Sequence, residues 1–381
     1  MKSILIIAFS NLKHDARVNR QVAFLKGEYK LTVACYDAED SPDFSLIKLP
    51  RVRLTIFKKL FSAFLLYTRF YKRAYKLLYP YAAMEALNKN QFDLILANDI
   101  EALPLAFQLK KQSKILFDAH EYAPRHFEEK LWWRIFFQGF NIALCKEFIP
   151  QVDAMITVNH GLANEYEKEF GVRATVVTNA NYYSDLKPSP LHSNTIRLVH
   201  HGAANPSRKH ELMIEMMNYL DDRFTLDLIL LSPTTANKKT RDYLGFLKSL
   251  AAGNPRVKIL PPVKSHEVVD FIHQYDIGLC FIPHVNFNYS HALPNKIFDY
   301  VQARLGLAIG PTDEMTLLVK SYDTGVVSDN FEPENLAKYL NELTLEKVAY
   351  YKQQSDKAAK ELSAEKNRDI LQGIIRSLLG E

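Results

Sequence analysis

Short apolar runs alternate with helix-length segments along the whole chain. In the first half these runs predict strands at Ile4–Phe9, Leu31–Cys35, Leu94–Ala97, Ile115–Phe117, Ala154–Val158 and Thr175–Val177. In the second half they predict strands at Arg197–His200, Leu226–Leu231, Val257–Leu260, Ile277–Phe281, Leu307–Ile309 and Gly325–Ser328. Apolarity within each run is continuous rather than alternating, as in strands buried on both faces of a helix-covered parallel sheet. The repeated strand–helix order then implies an α/β protein with two doubly wound domains. Apolar periodicity stops at Ser184–Thr195, where Pro, Ser and polar residues cluster, so the expected domains are 1–185 and 195–355. The final stretch, 356–381, reads as a charged helix expected to pack back across the domain junction.

Composition narrows the function classes. A chain of 381 residues with 48% hydrophobic and 24% charged positions has room for two cores and excludes disordered, collagen-like and coiled-coil readings. Cys35, Cys145 and Cys280 are far apart, which suggests neither a zinc cage nor a disulfide framework and makes the cytoplasm the expected compartment. The opening MKSILIIAFSN lacks a signal-peptide cleavage site, and no apolar run reaches the ~20 residues that span a bilayer.

The net charge of +5 has a local origin. Between Asp43 and Glu85 there is no acid, but there are nine Lys or Arg residues and ten aromatics, so the remainder carries −4. Placed on one helix, Lys58, Lys59, Arg69, Lys72, Arg73 and Lys76 fall within roughly 140° of one another. Phe57, Phe61, Phe64, Tyr71 and Tyr75 fall opposite, and Pro80 would end that helix. Two readings stand: a core helix with a solvated basic face, or one that buries its aromatics and offers its cations to an anionic membrane. Trp132, Trp133, Phe136, Phe137 and Phe140 form a second aromatic run with the same two readings.

Ligands of open α/β sheets bind at the carboxyl ends of strands, so the polar residues there carry the candidate chemistry. No G-x-G-x-x-G occurs, which argues against a nicotinamide or flavin dehydrogenase. Asp15 after the first strand either caps the next helix or contacts an acceptor. The run ending in Asp118, His120 and Glu121 offers a histidine that either moves or donates a proton or is tied up by a neighbouring carboxylate. Asn98 and Asp99 form another polar strand end. In the second half Gly202 permits close backbone approach, and Arg208 and Lys209 follow near a helix start, where phosphate is attracted. Asn295 and Lys296 open a further helix. A cation in a first turn is unfavourable unless an anion is bound there, and Asp299 lies one turn on.

Together these residues resemble the retaining glycosyltransferases of the GT-B fold, especially the family 4-like group (glycosyl transferases group 1). The resemblance rests on Asp15 and Arg17, FDAHE ending at Glu121, ITVNHGLANEY from Ile156, VTNA at Asn179, the HHG…RK segment, and above all ALPNKIFDYV. It implies two Rossmann-like domains facing a central cleft, the first presenting the acceptor and the second binding a nucleotide-sugar. By position, Arg208 and Lys209 would hold the donor diphosphate, Gly202 would let the backbone approach, and Asp299 would contact the ribose. Pro262 and Val263 would flank the base, and His120 would be the active-site histidine, with Asp15, Arg17, Asn98 and Glu121 on the acceptor side. The chain departs from the pattern at His291, where the first acid of E-x7-E is expected, at Ala203, where Arg is expected, and at Asp299, where the pattern has Glu.

The function so implied is transfer of a sugar, with retention, from a UDP- or GDP-sugar to a glycan or glycolipid acceptor in surface polysaccharide or lipopolysaccharide synthesis. No tightly bound cofactor, metal requirement or nucleic-acid partner is expected. The expected site is cytoplasmic, peripheral on the inner membrane face. The alternatives are a nucleotide-sugar 2-epimerase on the same fold and a non-catalytic two-domain sugar-binding protein.

Overall fold

A computed structural model describes residues 1–80, 87–88, 90–191, 194–231 and 238–381, without the side chains of 238 and 239. Glu85 and residues 192–193 of the expected linker lie outside the described residues. The chain forms two compact units, one of Met1–Thr178, Asn286–Asn288 and Asn367–Glu381, the other of Asn179–Val285 and Tyr289–Lys366.

In the first unit seven parallel strands line up in the order β3-β2-β1-β4-β5-β6-β7. They are β1 Ser3–Ile7, β2 Lys30–Cys35, β3 Ser45–Lys48, β4 Leu94–Asn98, β5 Lys114–Ala119, β6 Ala154–Thr157 and β7 Thr175–Val176. In the second unit six parallel strands repeat the same winding as β10-β9-β8-β11-β12-β13. These are β8 Ile196–Ala203, β9 Phe224–Leu231, β10 Val257–Leu260, β11 Ile277–Cys280, β12 Gly306–Ile309 and β13 Gly325–Val327. Every run expected from apolar continuity is a strand. β3 was not expected, because SLIK is short, half-exposed and at the sheet edge, where continuous burial is not required.

The principal helices are α1 Ala16–Leu25, α2 Ile56–Tyr67, α3 Tyr71–Leu78, α4 Leu103–Leu109, α5 Gly139–Phe148, α6 His160–Phe170, α7 Glu211–Met216, α8 Lys238–Ala252, α9 Asn295–Gln302, α10 Asp313–Tyr322, α11 Pro333–Asn341, α12 Leu345–Ala358 and α13 Ala364–Leu379. The unit boundary at Thr178 precedes the Pro/Ser stretch for a local reason. Arg304, fully buried, donates to the Ser184 carbonyl at 2.7 Å, and Gln302 accepts from the Ser184 N–H at 3.1 Å. Both belong to the second unit, whose core also holds Tyr183 and Leu186. At the far end of the chain Gln372 on α13 donates to the Phe24 carbonyl at 2.8 Å, within the first unit.

The basic, aromatic stretch departs from the single amphipathic helix expected for it. Arg69 adopts left-handed backbone (φ 64°) and separates α2 from α3, with the Phe70 N–H returning to the Leu65 carbonyl at 2.8 Å. A helical projection carried across that break has no meaning. Ser62, Leu65 and Leu66 are the buried residues of α2, and Ala74 and Tyr75 those of α3. Phe57, Phe61 and Phe64 are exposed, Phe57 by 80%. The aromatics of α2 therefore face solvent with the cations instead of sealing the core, contrary to expectation.

Gly278 on the central strand β11 sets the spacing between sheet and α9. A Cβ there would fall 2.2 Å from the buried Tyr300 ring, whose hydroxyl donates to the Leu279 carbonyl at 3.1 Å. Overpacking of this kind is not relieved by rotating a flexible chain end. Gly278→Ala is expected to lower unfolding stability by about 3 kcal/mol, read as a lower urea midpoint at unchanged slope; an unchanged midpoint would show that this packing is not tight.

Candidate functional site

In the second unit β8 crosses the middle of the sheet and delivers His200, His201 and Gly202 at its carboxyl end. Gly202 has φ +145°, a conformation that side chains resist. A Cβ added there would lie 3.2 Å from Lys296 Nζ and 3.3 Å from Arg208 Nη1. Two cationic ends thus approach one stretch of bare backbone. Lys296 comes from the first turn of α9, whose preceding residue, Pro294, supplies no side-chain cap. Arg208 comes from the turn Pro206–Arg208 after β8.

Histidine chemistry keeps this corner free of extra charge. His200 is buried; its Nδ1–H donates to the Leu279 carbonyl at 2.7 Å, which leaves Nε2 to accept from Lys296 Nζ at 3.2 Å. Burial, then the Lys296 charge, hold His200 well below its ordinary pKa. Burial, with Lys296 and Arg208, pushes His201 and His210 down to about 3 each. Among the described residues His210 Nε2 is buried and has no hydrogen-bond partner. Lys296 is only 5% exposed, and burial, helped by Arg208, pushes its pKa down to about 8 against the opposing pull of Cys280 and Asp299. Asp299 accepts from Asn181 at 3.1 Å and lies 3.4 Å from His201 Nε2. The cluster is an electropositive corner at a strand end, suited to a phosphate group.

The other expected residues of this unit have different surroundings. Lys209 is exposed in left-handed backbone (φ 51°), with its ammonium 3.9 Å from Glu211, and is not among the atoms nearest Gly202. Pro262 and Val263 follow β10, the first exposed and the second packed on the core. Asn295 is exposed at the start of α9. His291 lies 3.0 Å from Ser290 Oγ.

In the first unit the carboxyl ends of β1, β4 and β5 surround a cavity of about 250 Å³ lined by Asp15, Asn98, Asp99, Glu101, Glu121 and His126, among others. Asp15 caps α1 by accepting from the Val18 N–H at 3.0 Å, and it also lines this cavity. Arg17 has a different part from the acceptor contact expected of it. Its Nε and Nη2 each donate to Asp118 at 2.7 Å, and its Nη1 donates to the Val177 carbonyl at 2.9 Å. With both side chains buried, Arg17 is a strut between α1 and β5. Gln21 donates to Asp118 at 2.6 Å and to Asn98 at 2.8 Å.

His120 lies 3.1 Å from Asn98 Oδ1 and 3.3 Å from Asp99 Oδ2. Burial pulls its pKa down, but Asp99 and Asp118 together outweigh burial and raise it. The Asp118 carboxyl is held well below the usual range because Arg17 and His120 outweigh its burial. Glu101 is pushed up to about 7 by burial and by Asp99, and Glu121 pairs with His126 at 2.7 Å. Glu101 and His126 were not singled out in the sequence, since neither ends a strand; only the pairing of β4 with β5 brings their turns together. Among the described residues no group of three or more His, Cys, Asp or Glu side chains is placed to hold a metal ion.

Compared with known proteins, the chain matches no family model and no curated protein sequence. Its fold does match solved structures. Sucrose-phosphate synthase from Thermosynechococcus elongatus aligns over 100% of both chains at TM-score 0.72 and 13% identity. Anabaena HepE in complex with UDP and glucose aligns over 99% of this chain and 100% of its own, at TM-score 0.68 and 15% identity. A UDP-forming α,α-trehalose-phosphate synthase from Burkholderia vietnamiensis aligns over 99% and 100%, at TM-score 0.66 and 11% identity. At such identities the likeness establishes the fold: two Rossmann-like parallel-sheet units of GT-B type.

The buried pair gives a direct test. Asp118→Asn strands the Arg17 guanidinium and is expected to cost about 3–5 kcal/mol, whereas Arg17→Met with Asp118→Leu is expected to cost much less. Because the folded-state pKa of Asp118 is depressed, its contribution is complete above the unfolded carboxylate value and is lost as pH falls toward the folded one. Urea unfolding of the wild type from pH 6 down to pH 3 should show that loss, and Asp118→Asn should flatten it.

Proposed function

We propose that the protein is a retaining glycosyltransferase that moves a sugar from a UDP- or GDP-sugar to a glycan or lipid-linked acceptor at a cytoplasmic membrane face. The observation that carries this reading is the meeting of Arg208 and Lys296 over the bare backbone of Gly202. Two cations in a corner of neutral histidines are matched by a diphosphate, which neutralises both. As the glycosidic bond to the leaving diphosphate lengthens, negative charge grows on its oxygens. Arg208 and Lys296 stabilise that charge in a water-poor setting, where such donors contribute about 3–4 kcal/mol each. Lys296 takes the phosphate role first assigned to Lys209, and Lys209 is left to steer from the surface. Asp299 accepts from a ribose hydroxyl, with Asn295 at the helix start and Pro262 and Val263 beside the base. In the first unit His120 serves as the active-site histidine, with Asn98 and Glu121 on the acceptor side. Relatives in fold solved with UDP and glucose, or described as UDP-forming, support the donor class. A polysaccharide or lipopolysaccharide pathway fits the basic, aromatic surface of the first unit.

A nucleotide-sugar 2-epimerase is the second reading, favoured by one observation: the first-unit cavity gathers Asp15, Asp99, Glu101 and Glu121. It predicts turnover of the UDP-sugar with no acceptor present, which a transferase does not give.

A thermal-shift panel of UDP-, GDP-, ADP- and CMP-compounds checks the donor site. One nucleoside diphosphate class should raise the melting temperature, and Arg208→Ala or Gly202→Ala should remove most of that rise. No stabilisation by any compound would refute the assignment. Burial pushes the Lys296 pKa down to about 8, so affinity for the nucleotide-sugar, whose diphosphate does not titrate in this range, should be flat from pH 6 to 7.5 and weaken above about pH 8. Lys296→Arg should abolish that decline, because guanidinium keeps its charge.

A further inference from the structure

Beside α2, the first unit has a second cavity, of about 750 Å³, between α3, α4 and α5. Its size falls in the range of sites that enclose one small molecule. α4 follows β4, α5 lies between β5 and β6 in the chain, and the cavity includes Phe107, Gln108, Glu147 and Phe148 near the last turns of these helices. It is therefore distinct from the candidate site at the strand carboxyl ends.

The lining divides by chemistry. Arg69, Lys72, Arg73 and Lys76 line it together with the apolar Phe70, Tyr75, Phe107, Leu144 and Phe148. Glu147 is the acid in the lining, and it pairs with Lys72 at 3.2 Å, which leaves the lining with a net charge of three positive. Close packing holds the walls: the Tyr71 ring meets Phe140 edge-on at 5.7 Å, and a Cβ on Gly139 would fall 2.5 Å from the Tyr71 hydroxyl. On the neighbouring surface α2 exposes Phe57, Leu60, Phe61, Phe64 and Tyr67, the last by 69%. Residues 134–138, which contact α2, follow Leu131 and Trp132, the latter 54% exposed.

We infer that this cavity binds one anionic lipid, with its phosphate on Arg73 and Lys76 and its chain against Phe107, Leu144 and Phe148. The exposed face of α2 supplies the surroundings such a molecule needs. Aromatics enter the interface and cations meet anionic headgroups, on a helix that packs against the α3 wall of the cavity. A soluble phosphate ester would use the cations alone and leave the apolar wall unmatched. The inference rests on the membrane-face reading above, and its test separates the two.

Isothermal titration with dodecyl phosphate below its micelle concentration tests the cavity, with dodecyl maltoside and inorganic phosphate as controls. Saturable one-to-one binding is expected for dodecyl phosphate alone. Gln108→Trp and Ala143→Trp, which fill the cavity, should each weaken it at least tenfold, as should Arg73→Glu with Lys76→Glu. Phe57→Asp with Phe61→Asp should leave it unchanged while abolishing flotation with phosphatidylglycerol vesicles. Equal binding of dodecyl maltoside, saturation by inorganic phosphate, or indifference to both Trp variants would overturn the inference. Cavity binding in a wild type that fails to float with vesicles would refute the membrane-face reading and leave the cavity assigned.

Discussion

Two like charges held against one glycine are the constraint on which the second unit depends. Arg208 and Lys296 both reach the backbone at Gly202, and Lys296 is buried. Holding the Lys296 pKa near 8 rather than at its ordinary 10.5 corresponds to about 3 kcal/mol of lost stability near neutral pH. That cost is present while lysine is charged in both folded and unfolded chains, and it is relieved as pH rises above 8. In the proposed donor site a bound diphosphate would relieve it at neutral pH instead. His200, His201 and His210 matter because they stay neutral beside two cations, with Asp299 3.4 Å from His201 as an acid of the cluster.

The first unit solves the opposite problem. Its strand ends collect carboxylates, and the buried Arg17–Asp118 pair keeps one of them ionised and fixed in place. With Gln21 and Asn98 this pair sets the position of His120. Asp99 and Glu101 are left to share a partly enclosed cavity in which ionisation of one discourages ionisation of the other. A site that sets a carboxyl with a raised pKa near a histidine with a raised pKa is suited to handling hydroxyl groups and their protons.

Much of this was legible in the sequence, and the losses have physical causes. Continuous apolar runs identified both sheets because parallel strands are buried on both faces, whereas β3 escaped because an edge strand need not be. Lys296 stood out because a cation in a first helical turn opposes the helix dipole, and its meeting with Gly202 follows from that placement. Arg17 was misread because a buried bidentate pair and a ligand-contacting arginine look alike in sequence; the partner lies 101 residues away. The aromatics of α2 were misplaced because a helical projection assumes one uninterrupted helix, and a non-glycine residue in left-handed backbone at Arg69 gave no sign of the break. Glu101 and His126 became visible only when β4 and β5 were paired.

The opening charge excess can now be divided by its surroundings. The cations of residues 58–76 sit among exposed aromatics on one unit, while Arg208 and Lys296 sit in a sheltered corner of the other. In the proposed donor site, Lys296 has its protonation tied to ligand binding. Calorimetric titration of the nucleoside diphosphate found in the binding panel, at pH 8 in buffers of different ionisation enthalpy, measures that tie directly. The account predicts net proton uptake of roughly half a proton as Lys296 recharges, and none in Lys296→Arg. Binding without proton uptake, or with the same uptake in Lys296→Arg, would contradict it.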